Sequence, residues 1–157
     1  MKKTNHFWLM KSEPNTFGID HLRACSKQQD HWDGIRNYQV RNMLRDDFQP
    51  GDEAFFYHSN CKIPGIVGTM TVVSAPYPDH TAFDPESPYY DPKSDPENPR
   101  WYMVDVKFKE KFNDIVKLEQ LRTIPALKEM LILRKGNRLS ITPVTLKQWQ
   151  IIHELSQ

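Results

Sequence analysis

At 157 residues, with 38% hydrophobic and 26% charged side chains, the chain is the size of one domain and is not disordered throughout. No apolar run approaches the roughly 18 residues that cross a bilayer. Two cysteines, Cys25 and Cys61, are too few for a disulfide framework and suit a reducing compartment, while a net charge of +1 says nothing by itself about nucleic acid.

The chain opens with Lys2 and Lys3, but its first apolar stretch, Phe7 to Met10, is far too short for a signal peptide. An intracellular protein is expected, cytoplasmic, or nuclear in a eukaryote. "HFWLM" (6–10) predicts a strand in which Phe7 and Leu9 oppose Trp8 and Met10, and neither face is polar. A helix is predicted at 17–24. It places His21 and Cys25 at i, i+4 with His31 nearby, yet no paired CxxC or HxxxH accompanies them, so no metal site is expected.

Residues 31–42, "HWDGIRNYQVRN", crowd stacking and hydrogen-bonding side chains around one glycine. Trp32 lies in a stretch without periodicity. Asn37 can cap a helix over 38–47 whose apolar face is Val40, Met43 and Leu44 and whose polar face is Tyr38, Arg41, Asn42 and Arg45. The helix start offers unpaired N–H groups to an anion, and Gly34 would let backbone approach a flat ligand closely. Spacing alone favours a plainer reading, an Asn-capped surface helix with a solvated basic face.

Strands follow at 53–59, after Pro50-Gly51-Asp52, and at 65–73, after Pro64-Gly65. His58 and Cys61 stand three apart with no third group to orient the histidine, so an ordinary thiol is expected. Residues 76–99 hold seven of the 12 prolines and six acids against Lys93, a segment of charge −5 in a chain whose remainder carries +6. Such a run cannot be regular helix or central strand and reads as one long loop. Its acids lack the spacing of a calcium loop.

In the strand expected at 101–108, Tyr102, Val104, Val106 and Phe108 form the core face, which leaves Trp101 on the more polar side. Helices are expected at roughly 117–132, interrupted by Pro125, and at 143–155, with Thr142 as cap, Pro143 at the first helical position and Trp149 on the buried face. The sum is an α+β fold: a mostly antiparallel, partly closed β-barrel decorated with short helices, forming one domain over residues 1–157.

Seven stretches, in order, resemble the EVE domain: "FWLMKSEP", "WDGIRNYQVRN", "GDEAFFYHS", "GIVGTMTVV", "YPDHTAFDP", "PRWYMVDVKF" and "RLSITPV". The resemblance spans about residues 6 to 152. Ile35 and Val40 stand where that family often has Val and Ala, swaps that leave a pocket's chemistry unchanged. It implies a PUA-like barrel related to the YTH domain, with no established catalytic set and no cofactor. The YTH strand-end Lys-Ser resembles Lys11-Ser12 and its pocket tryptophan resembles Trp32, while its second aromatic wall has no clear match.

What the resemblance implies is a non-catalytic reader of a modified base, methylated or hydroxymethylated, in DNA or RNA. The base would be flipped or single-stranded, stacked on an aromatic ring and hydrogen-bonded at its edge. Trp32, with Trp8 or Trp101, would stack; Ser12, Asn37 and the backbone near Gly34 and Ile35 would read the edge; Tyr57, His58 and Ser59 would line the facing strand. Lys11, Arg36, Arg41 and Arg45 would grip phosphates, and the 76–99 loop would act as rim or lid. The rival readings are an enzyme acting on a nucleotide-like small molecule in the same pocket and a protein-interaction domain. The sequence leaves the oligomeric state open.

Overall fold

A computed structural model of the chain describes residues 5–157, so Lys2 and Lys3 lie outside the described residues. Strand β1 (Phe7–Ser12) leads through short helices α1 (Pro14–Phe17) and α2 (Ile19–Ala24) into β2 (Gln29–Trp32) and helix α3 (Tyr38–Asp47). Then come β3 (Glu53–His58), β4 (Gly65–Val72), the two-residue β5 (Tyr77–Pro78) and the long β6 (Tyr102–Lys117). A one-turn helix α4 (Leu118–Leu121), β7 (Ile141–Val144) and α5 (Leu146–Leu155) complete the order.

The strands join in the order β2-β6-β4-β3-β1-β7, with β5 also paired to β6. Among the described residues only β1 and β3 run parallel, because α1, α2, β2 and α3 form the crossover between them. β2 and β3 are separated by β6 and β4, so a flat sheet would hold them about 14 Å apart. The ring centroids of Trp32 and Phe56 are nevertheless 5.4 Å apart. The sheet therefore curls until its first strand reaches back across the core, without closing.

Curling gives the central strands two buried faces. Trp8 and Met10 on β1, with Ala54 and Phe56 on β3, point into the core inside the curl. Leu9, Phe55 and Tyr57 point outward into a second core, which α5 covers with Trp149 and Ile152. Trp149 stacks on Phe55 at 4.0 Å, in keeping with its expected burial. This is why "HFWLM" has no polar face. Trp8 is committed to the interior: it stacks on Phe48 at 4.3 Å and donates its indole N–H to the buried Asp52 carboxylate at 2.9 Å.

Several expected elements differ. The final helix begins at Leu146 and is capped by Thr145, whose hydroxyl accepts the Gln148 N–H while Gln148 Oε1 accepts the Thr145 N–H. Pro143 lies in β7, where an edge strand tolerates its missing donor. The region 117–132 forms α4 and 3-10 turns at Pro125–Leu127 and Leu131–Leu133. Ile124 before Pro125 is extended, as sterics require. The helix expected at 17–24 is α1 and α2, parted at Gly18. β6 runs nine residues past Phe108, because "KFKEKF" keeps strand alternation with exposed Lys107, Lys109 and Lys111. Met103, on the same face as Lys107, is nevertheless fully buried, at the position where β6 pairs with Tyr77 of β5.

Candidate functional site

Where the curl fails to close, the two ends of the sheet face each other across a cleft of about 570 Å³. One bank is the end of β1, Lys11 and Ser12, with Ser140 just ahead of β7. The other is β2 and its exit, from Asp30 through Trp32 and Asp33 to Gly34 and Ile35. Phe17 from α1 and Tyr89 from the proline-rich segment contribute further walls. Trp32 is only 6% exposed and forms wall rather than platform edge, packed near-perpendicular to Phe56 and Phe17. A larger cavity of about 980 Å³ lies on the far side, beneath α5, away from these groups.

The residues around Gly34 are organised by Asp79, which has no exposed surface. Its carboxylate accepts the Gly34 N–H at 3.0 Å, the Arg36 guanidinium at 3.1 Å and the Thr81 N–H at 2.9 Å. Burial pushes this carboxyl up, but the hydrogen bonds from Thr81, the Gly34 amide and Arg36 outweigh it and hold the group below the usual carboxylate range. Arg36 also donates to the Tyr89 carbonyl at 2.5 and 3.1 Å and to the Ile35 carbonyl at 2.8 Å. Three of these contacts, one to Asp79 and two to the Tyr89 carbonyl, fasten the proline-rich segment. Gly34 has φ +79, and a Cβ there would sit 2.7 Å from the Tyr89 ring. The close approach that glycine permits is made by Tyr89.

The expected site residues therefore separate. Lys11, Ser12, Trp32, Gly34 and Ile35 line the cleft; the Ser12 hydroxyl also donates to the Phe17 carbonyl at 2.7 Å. Asn37 caps α3, its Oδ1 accepting the Val40 N–H at 3.0 Å. Trp101 lies outside the cleft, 5% exposed, stacked on Tyr38 at 4.9 Å and donating to Asp91 at 2.6 Å. Tyr57 points into the second core, and Tyr57 and Ser59 border a different cavity. His58 accepts the Ile19 N–H through Nε2 at 3.1 Å, and burial lowers its pKa, which favours this neutral acceptor. Arg41 donates to the Arg100 carbonyl at 2.9 Å, and Arg45 pairs with its neighbour Asp46 at 2.7 Å. The proline-rich segment borders the cleft and is bonded to the β2–α3 stretch through Asp79 and Arg36 and to Trp101 through Asp91.

Among the cleft residues that sequence reasoning does not single out, four shape the site most. Phe17 and Tyr89 carry the aromatic surface besides Trp32, Ser140 faces them, and Asp33 brings a carboxyl. "SPYYDP" holds the one legible hint, two adjacent tyrosines in an otherwise acidic loop. The cleft lining contains Glu13, Asp30 and Asp33 against Lys11 and His31. Burial raises the Asp33 carboxyl above its usual range; His31, 3.3 Å away, pulls the other way. Aromatic walls with acceptor groups suit a flat ring bearing an amino group better than a phosphate. His21 Nδ1 accepts the Gly18 N–H at 2.7 Å, and among the described residues no group of three His, Cys, Asp or Glu side chains could hold a metal. Among the same residues no helix is long and apolar enough to cross a membrane.

The profile of the EVE domain family matches residues 6–155. Thymocyte nuclear protein 1 of Mus musculus is 43% identical over 173 residues, covering 99% of this chain and 76% of that protein. A solved structure from Pseudomonas putida superposes with a TM-score of 0.92 at 44% identity, covering 96% of this chain and 99% of the other. The human THYN1 protein, solved in complex with DNA containing 5-methylcytosine, superposes with a TM-score of 0.91 at 43% identity, covering 98% of each chain.

Proposed function

The chain belongs to the EVE domain family, and from that premise we propose that it is a non-catalytic module that binds DNA carrying a modified cytosine, with the base turned out of its stack into the cleft. The observation that carries this reading is the cleft itself: aromatic walls from Trp32, Phe17 and Tyr89 around an acceptor-rich lining, in a volume of about 570 Å³. That size suits a nucleotide-sized ligand. The human relative bound to DNA containing 5-methylcytosine supports the ligand class.

In this reading the base lies against the aromatic walls, worth about 1–3 kcal/mol. The Asp33 carboxylate accepts from the exocyclic amine of cytosine, as acidic side chains do. Ser12 and the backbone at Gly34 and Ile35 complete the edge, and Lys11 meets the nearest phosphate. A methyl group at C5, if buried, adds about 0.8 kcal/mol, roughly a fourfold preference.

The test is a tryptophan-fluorescence titration with short DNA strands and duplexes, with and without one 5-methylcytosine, at low and physiological salt, with RNA of the same sequence as a further arm. A methyl preference of about fourfold or more that survives salt supports the reading. Equal affinity for both forms, or turnover of the nucleotide, overturns it. Asp33→Ala should weaken binding of the methylated strand about tenfold, the scale of one base-edge contact. Binding should also fall as pH drops through the raised Asp33 value, earlier than for an ordinary aspartate near 4, because the protonated carboxyl loses its charge and accepts more weakly from the amine.

A further inference from the structure

The three arginines of the 36–45 stretch are engaged within the protein, which leaves open where the phosphates flanking a lodged base would lie. The cleft is not alone on its face of the molecule. Lys11 also lines a second cavity of about 630 Å³, bordered by Arg122, Arg134 and Lys135. That cavity in turn shares Pro64, Leu118 and Arg122 with a shallower one of about 260 Å³, where Lys62 and Lys117 stand.

The sign of charge changes along this line. The cleft holds three carboxylates, whereas the second cavity has four cations and no acid in its lining. The third adds two lysines against one acid, Glu119. Among the described residues Lys11, Lys62, Lys117, Arg122 and Lys135 have no ion-pair partner. Arg134 has only the exposed Glu129, at 3.7 Å. These cations also have defined mounts. Lys11 stands on β1, paired to β3 and β7. Arg122 closes α4, its N–H bonded to the Leu118 carbonyl at 3.2 Å. The turn bearing Arg134 and Lys135 is tied by Asn137, which donates to the Leu131 carbonyl at 2.5 Å and accepts the Leu139 N–H at 3.0 Å.

We propose that this chain of cavities is a binding groove for the sugar–phosphate backbone of the DNA strand whose base enters the cleft, running from Lys11 past Arg134 and Lys135 to Arg122, Lys62 and Lys117. The inference rests on the base-in-cleft reading. Carboxylates around the cleft repel phosphates from its mouth, and the adjoining cations draw them to one side. Lys11, common to both cavities, marks the crossing point from base to backbone. Each phosphate neutralised there releases condensed counterions, so binding depends steeply on salt.

The experiment measures Kd for a labelled single DNA strand, with and without one 5-methylcytosine, across a salt series, using the full chain. Arg134→Ala/Lys135→Ala and Arg122→Ala remove exposed cations, and Lys147→Ala on α5 serves as control; unchanged thermal midpoints verify folding. The double variant should weaken both strands at least tenfold at low salt. It should flatten the slope of log affinity against log salt by about 1.4, two phosphate contacts on a single strand. The ratio between methylated and unmethylated strands should stay as in the unsubstituted protein. Unchanged affinity and slope in both groove variants, with methyl preference intact, overturns the groove and leaves the cleft reading standing. Groove variants that lose salt-dependent binding in a protein without methyl preference keep the groove and overturn the cleft. An unsubstituted protein that binds neither strand overturns both.

Discussion

Asp79 shows how one side chain can redirect the roles of its neighbours. Read along the chain, Gly34 and Arg36 suggest a ligand approach and a phosphate grip; in space both serve a carboxylate more than forty positions away. Nothing local to "WDGIRN" encodes that partner, so the misreading of Arg36 follows from sequence separation. Trp32, Lys11 and Ser12 were legible as cleft residues through family resemblance, whereas Asp33 was not, since one acid beside a glycine has no pattern. Replacing Asp79 by Ala strands the Gly34 amide and the Arg36 guanidinium, and should cost about 3–5 kcal/mol as for a broken buried pair. The Asp79 carboxyl lies lower in the folded state than its unfolded value near 4, so its stabilisation is complete above that value and is lost as pH falls through the depressed folded value. Urea unfolding from pH 6 down to pH 3 checks this: the loss in that window should be smaller in Asp79→Asn than in the unsubstituted protein.

At the scale of elements, strong periodicity was readable and competition between signals was not. β3, β4 and α3 lie within a residue or so of their expected bounds because their patterns have no rival. Around 142–148 two threonines compete to cap the final helix. Thr145 wins because Gln148 sits three residues on and closes a reciprocal box, and Pro143 is then free to finish the edge strand. Thr145→Ala should destabilise the protein by about 1 kcal/mol in thermal unfolding, with Thr145→Ser close to neutral. β2 was missed for another reason. Four residues, "QDHW", carry too little alternation to announce a strand, and pairing with β6 makes them one.

Over the whole molecule, the curl of the sheet decides both core and site. The balance of strands and short helices was visible in the sequence, but the cleft was not, because its banks come from opposite ends of the strand order. A net charge of +1 likewise hides a molecule whose acidic cleft adjoins a basic groove. The same topology orders local stability. β3 and β4 are paired on both sides, whereas β2 and β7 are the ends of the path. Native-state hydrogen exchange should find β3 and β4 slower than the path's end strands β2 and β7; uniform exchange would mean that the two sheet ends hold each other without a ligand.

That unclosed seam brings together parts of the chain that are far apart in sequence. Residues 32 and 140 lie on its opposite banks, so an occupant touching both is a reversible cross-link that ties off most of the chain as one loop. Cross-links over long loops constrain an unfolded chain more than short ones do, though only slowly with length. A ligand has no such grip on the unfolded state, and its stabilisation instead grows with concentration above Kd. Occupancy of so small a gap thus becomes a property of the entire ring of strands, as a clasp sets the tension of the whole band it fastens.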